Sequence, residues 1–117
     1  MLKRLSRIAA YMMIALGVVH LSFTPFAFSR FTDNTVWFMG AGLAPIFAGF
    51  LNIVWVTNAG NDRVIYVMCL IANIGLLSLF VLAAFVIPSP PPFIGSSLTL
   101  IASIAMIASR QVRADSK

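Results

Sequence analysis

Charge is what this chain has least of. Only 9% of its 117 residues are charged, eight of them lysine or arginine and three acidic. The acids are Asp33, Asp62 and Asp115, and glutamate is absent. There is one histidine, His20, and one cysteine, Cys69. A lone cysteine cannot close an intrachain disulfide or form a dithiol redox pair. A lone histidine cannot supply bis-histidine haem ligation. Metal sites usually draw on three or four ligands, and the apolar runs contain no carboxylate to complete one. The same scarcity argues against a Ser/His/Asp triad, because every aspartate lies in a short polar cluster. No enzyme activity, cofactor or metal is expected.

What is present is apolar. Hydrophobic residues make up 61% of the chain, and the mean hydropathy of +1.00 lies far from that of a soluble domain. The charges gather in four clusters: Lys3, Arg4 and Arg7; Arg30 and Asp33; Asp62 and Arg63; and Arg110, Arg113, Asp115 and Lys117. Between them run uncharged stretches of 22, 28 and 46 residues, the longest interrupted by Pro88, Ser89, Pro90, Pro91 and Pro92. About 20 apolar residues cross a bilayer core as a helix. The pattern predicts an all-α integral membrane four-helix bundle, a single transmembrane domain over residues 1–117. Its helices are expected at about 8–26, 35–56, 63–85 and 93–109.

Short connections predict antiparallel neighbours in up-down-up-down order. Placing the N-terminus in the cytoplasm puts Lys3, Arg4, Arg7, Arg63, Arg110, Arg113 and Lys117 on that side and only Arg30 on the other, a clear positive-inside bias. Both termini are therefore expected in the cytoplasm, with the chain in a cell inner (plasma) membrane. The net charge of +5 serves topology and anionic lipid rather than nucleic acid. A cleaved signal peptide is disfavoured, because the apolar run from Ile8 to Phe28 exceeds the roughly 7–15 residues of a signal-peptide core. Thr32, Asp33 and Asn34 offer N-capping side chains to the second span. Asn58, Ala59, Gly60, Asn61 and Asp62 signal a turn. The proline-rich segment is expected to be a stiff extended connector.

In lipid, helices associate through small residues and interhelical hydrogen bonds, so stripes of such residues mark the interior. Helix by helix these are Met13, Gly17, His20 and Thr24; Gly42, Pro45, Gly49 and Asn52; Cys69, Ala72, Asn73 and Leu76, with Gly75 and Ser78 alongside; and Ser96, Thr99, Ser103 and Met106. Gly40 and Gly42 lie within a span, where glycine signals close packing and not a phosphate loop. A homodimer using one stripe is the alternative to a self-contained bundle.

An ionisable side chain within a membrane span is a functional-site candidate by default, which singles out His20. Its bland role is an interhelical hydrogen bond. The carbonyl of Ala41 is a candidate acceptor, because Pro45 cannot donate to it. Asn52 and Asn73 must find partners in a water-free interior and are expected to bond between helices. A cavity lined by His20, Asn73 and Thr99, with Thr24, Ala41 and Pro45 nearby, would hold a small polar or partly polar ligand. Two functions follow: an accessory or scaffolding subunit of a membrane assembly, with the bilayer and a larger membrane protein or second copy as partners; or a small-molecule transporter or ligand-binding membrane protein with a pocket around His20. The first expects a filled interior at His20 and the second a cavity.

The run Trp37, Phe38, Met39, Gly40, Ala41, Gly42, Leu43 and Ala44, continuing through Gly49 to Asn52 and accompanied by His20, resembles uncharacterised small four-helix bacterial inner-membrane proteins. That resemblance covers the first two spans and implies no particular activity. Length and span count are also similar to those of the small multidrug-resistance exporters. Those proteins couple drug and proton through a glutamate in the first helix, and this chain has no carboxylate there.

Overall fold

The computed structural model describes residues 1–58 and 62–116, with backbone alone for 113 and 114. It is all-helical: α1 (Leu2–Ser22), α2 (Thr24–Ala27), α3 (Asp33–Thr57), α4 (Arg63–Val86) and α5 (Pro90–Asp115). Four of these are long and apolar enough to cross a membrane. At 1.5 Å per residue they measure about 32 to 39 Å, against a hydrocarbon core of about 30 Å. The centre of the turn expected after Asn58, residues 59–61, lies outside the described residues, as does Lys117.

Prolines and caps set the boundaries. α1 starts at Leu2, six residues before the expected residue 8, because Lys3, Arg4 and Arg7 are exposed and long basic side chains carry their charge to the interface. The single span expected over 8–26 breaks at Phe23, since Pro25 cannot donate to the carbonyl of Leu21 and its ring crowds that group. The short α2 then ends at Phe28, whose backbone is extended. Thr32 caps α3 together with Thr35 three residues on: the Thr32 N–H donates to Thr35 Oγ1 at 3.1 Å, and the Thr35 hydroxyl donates to the Arg30 carbonyl at 3.1 Å. Asp62 caps α4, Oδ1 accepting from the N–H groups of Val64 (2.8 Å) and Ile65 (3.2 Å).

The proline-rich segment departs from the expected extended connector. Only Ile87, Pro88 and Ser89 separate α4 from α5, and Pro90, Pro91 and Pro92 form the first helical turn. The first N–H groups of a helix have no internal acceptor, so prolines there forfeit nothing and bring a preset φ. At its other end α5 continues past the expected residue 109, where the Arg110 guanidinium lies over the Tyr66 ring at 4.0 Å.

Each long helix packs on two others: α1 on α3 and α5, and α4 on α3 and α5, while α2 touches α1 and α3. The body measures 57 × 24 × 21 Å. α1 and α3 make backbone-level contact. A Cβ on Gly17 would collide with the Gly42 carbonyl oxygen, and one on Gly49 would lie 2.8 Å from the Ala10 carbonyl. Glycine is needed at both places because the partner atom is backbone and cannot rotate away.

Among the described residues the interior is built mainly from small and medium side chains, with Trp55 the large exception. Ala9, Met13, Ala48, Leu76 and Ala102 form one cluster; Trp55, Val56, Cys69 and Met106 form another. Large apolar side chains point outward, as with Ile71, Leu82 and Phe85 on α4. That inversion of the soluble pattern is what a lipid-facing surface requires. The small-residue stripes fall largely inside, but Gly75 and Ser78 are exposed, and His20, Thr24, Ala72 and Ser96 are half-buried.

Candidate functional site: a cavity beside His20

Two polar arrangements occupy different parts of the bundle. The first joins α3 to α4. Asn52 and Asn73 are both fully buried and face each other as reciprocal amides. Asn52 Nδ2 donates to Asn73 Oδ1 at 2.8 Å, and Asn73 Nδ2 donates to Asn52 Oδ1 at 3.1 Å. Asn52 Nδ2 also donates to the Ala48 carbonyl at 2.8 Å. Pairing amide against amide meets the need of each side chain with the excess of the other. These two residues form a structural clamp, with no polar group left to offer a ligand.

The second arrangement is His20, at the end of α1. Its ring stacks on Phe38 of α3, centroids 3.9 Å apart and planes 23° from parallel. Its Nε2 lies 3.0 Å from the Phe38 carbonyl oxygen. The acceptor expected from Pro45 was the Ala41 carbonyl; instead the stack carries Nε2 to Phe38. The imidazole Cδ2 lies against Gly42, 3.0 Å from where a Cβ there would sit. Any side chain at position 42 would therefore crowd the ring. Phe28 meets Phe38 edge-on at 5.2 Å, completing an aromatic group of His20, Phe38 and Phe28.

Beside this group lies a cavity of about 600 Å³, within the roughly 300–1,000 Å³ typical of small-molecule sites. Leu16, Val19, His20 and Phe23 of α1, Phe38, Ala41 and Pro45 of α3, and Leu79, Phe80 and Ala83 of α4 form its walls, with Pro91 and Pro92 of α5 closing one side. Asn34 and Ser89 are its other polar side chains, each at the start of a helix. The lining is otherwise apolar. Ala27, Phe28 and Ile87 complete it.

The sequence candidates thus separate. His20, Ala41 and Pro45 line the cavity. Thr24 lines a smaller adjoining recess with Pro25, Thr35 and Met39, and its hydroxyl is buried without a partner among the described residues. Asn73 and Thr99 do not reach the cavity. Asn73 is held by Asn52, and the Thr99 hydroxyl donates to the carbonyl of Gly95, one turn back on its own helix, at 2.7 Å. The expected convergence of His20, Asn73 and Thr99 is not formed, because two of the three find partners closer to hand. Phe38, Phe80, Pro91 and Pro92 were not singled out from the sequence. Phe38 was accessible to such reasoning, since it shares a helical face with Ala41 and Pro45 at offsets of 3 and 7.

Chemically, the arrangement suits binding: an apolar chamber with one imidazole in its wall. Among the described residues, no group of three or more His, Cys, Asp or Glu side chains comes together to hold a metal ion. No protein-family model matches this chain, and neither a curated protein nor a solved structure is significantly similar to it.

Proposed function

We propose that this chain is a non-enzymatic, multi-pass protein of a cell inner membrane that binds an apolar small molecule in the cavity beside His20. The cavity of about 600 Å³ carries this reading. An accessory or scaffolding subunit needs a filled interior at that place, whereas a binding or transport protein needs a void. The cavity opens outward, since Val19, Phe23, Leu79 and Ile87 of its lining are exposed. The apolar walls favour a hydrophobic molecule over the more polar ligand expected from a site including Asn73 and Thr99.

The helices run up-down-up-down in this reading, with both termini in the cytoplasm. The order of contacts supports it: Gly49 lies against Ala10, Gly17 against Gly42, and His20 against Phe38, so one helix ascends as the other descends. The cationic side chains of Lys3, Arg4, Arg7, Arg63 and Arg110 then share one side. The cavity falls at the opposite, outer end.

Native mass spectrometry with pyrene, a rigid hydrocarbon, tests the binding reading. One pyrene per chain is expected for the wild type and none for Ala83→Phe, which fills the chamber. Equal binding by the two proteins, or none by a folded wild type, refutes it. For topology, thiol labelling in a Cys69→Ser background is expected to reach Ser29→Cys from outside the cell and Thr57→Cys only after permeabilisation. The reverse pattern overturns the orientation.

A further inference from the structure

We propose that the cavity selects its occupant through a hydrogen-bond donor: an apolar molecule bearing a hydroxyl or equivalent O–H or N–H group that donates to His20 Nδ1. The proposal rests on the binding reading above and adds the chemical class of the ligand.

The argument begins at the other ring nitrogen. The partner of Nε2 is the Phe38 carbonyl oxygen at 3.0 Å, and a carbonyl can only accept. Nε2 therefore carries the proton. A neutral imidazole has one donor and one acceptor, so Nδ1 presents a lone pair. The Cδ2–Nε2 edge faces α3, against Gly42 and Phe38, which turns the Nδ1 edge away from that helix. His20 is half-buried and lines the cavity. Among the described residues no side chain or backbone group donates to Nδ1, and it is not among the sealed, partnerless atoms of the interior. It is an accessible acceptor on a residue that lines the cavity.

The rest of the wall has the same polarity. A helix N-terminus normally offers N–H groups to a ligand, but the α5 residues at this rim, Pro91 and Pro92, have none. Across the chamber, the Ala41 carbonyl has lost its usual donor to Pro45, and His20 has not replaced it. Ser89 turns its hydroxyl toward the Ile87 carbonyl at 3.4 Å, and Asn34 is exposed at the start of α3. Deep in the chamber the protein supplies acceptors and the occupant must bring the donor. An occupant without one leaves Nδ1 unpaired in apolar surroundings, a loss large enough to weaken binding about tenfold.

The test compares dodecanol with its methyl ether, which keeps the chain and the oxygen but lacks the O–H. Native mass spectrometry titrations of the full chain are expected to give about tenfold tighter binding of the alcohol. His20→Phe preserves the ring stack and should bring the two ligands level, whereas His20→Gln, which can donate to Phe38 and accept from the ligand, should retain the preference. Because the chain has one histidine, side-chain ¹⁵N NMR on the wild type reads the site directly. Nε2 is expected to be protonated and Nδ1 bare, with the Nδ1 signal moving on addition of dodecanol but not of the ether. Equal affinity for the two ligands, or a proton on Nδ1 in the ligand-free protein, overturns the donor rule while leaving the binding reading intact. If neither ligand nor pyrene binds, it is the binding reading itself that fails.

Discussion

The Asn52–Asn73 clamp makes a quantitative prediction, because its two amides are not equally supported. Replacing Asn73 with leucine removes both cross-helix bonds, yet Asn52 Nδ2 keeps its 2.8 Å bond to the Ala48 carbonyl. Asn52 Oδ1 is stranded outright, while Nδ2 loses one of its two acceptors. Replacing Asn52 instead strands both ends of Asn73: Oδ1 loses its donor, and Nδ2 is left with a 4.0 Å contact to Cys69 Sγ. An orphaned buried polar group costs about 1–3 kcal/mol, and interhelical hydrogen bonds in a membrane protein average about 0.6 kcal/mol and reach about 1.7. Asn73→Leu is therefore expected to cost about 1–2 kcal/mol and Asn52→Leu about 2–3 kcal/mol. The double replacement removes the orphans along with the bonds, so its cost should fall short of the sum by about 1 kcal/mol or more. Reversible unfolding of the four proteins in bicelles, followed by steric trapping, measures all three terms. Additivity within about 0.5 kcal/mol, or a larger penalty for Asn73→Leu, refutes the account of the clamp.

Other substitutions test the packing and the caps. Gly49→Ala sets a methyl against the Ala10 backbone and should destabilise by about 1–3 kcal/mol, read as a lowered thermal midpoint. Gly75→Ala meets nothing within 4 Å and should stabilise by up to about 1 kcal/mol through helix propensity. Loss of the two backbone bonds in Asp62→Ala should cost about 1 kcal/mol, with faster amide exchange confined to the first turn of α4. Cys69 is fully buried, so maleimide should label the folded protein slowly and the Asn52→Leu variant faster; equal rates would contradict a clamp that holds α3 to α4.

The four spans were legible in the sequence because lipid imposes two coarse demands, length and freedom from charge, and four charge clusters punctuate this chain. The interior stripes were legible for a related reason: a lipid-facing exterior leaves small and polar residues only the inside. The start of α5 was misread because proline's damage to a helix depends on position. A missing N–H matters at residue 45, within α3, and not at residues 90 to 92. The site was harder to read. Depth in the membrane placed His20 near Ala41 but could not choose between successive turns of α3, a choice made by the stacking of imidazole on Phe38. Asn52 and Asn73 each asked for a partner, but their mutual register depends on how α3 and α4 lean, which no local pattern encodes. A cavity is least legible of all, being defined by side chains that fail to touch.

The clamp also sets how α4 is held along its length. This helix is the least buried of the four spans, and its polar tie to α3 is at Asn73. Beyond that tie, Leu79, Phe80 and Ala83 line the cavity, and the Phe80 ring packs against Gly95 of α5. Among the described residues, no other side-chain hydrogen bond joins α4 to α3, and apolar contact with α5 seats its outer half. The amide pair therefore fixes the depth at which α4 meets α3, and with it the position of Leu79 and Ala83 one to three turns further along. The same two asparagines thus fix one wall of a cavity that neither of them lines.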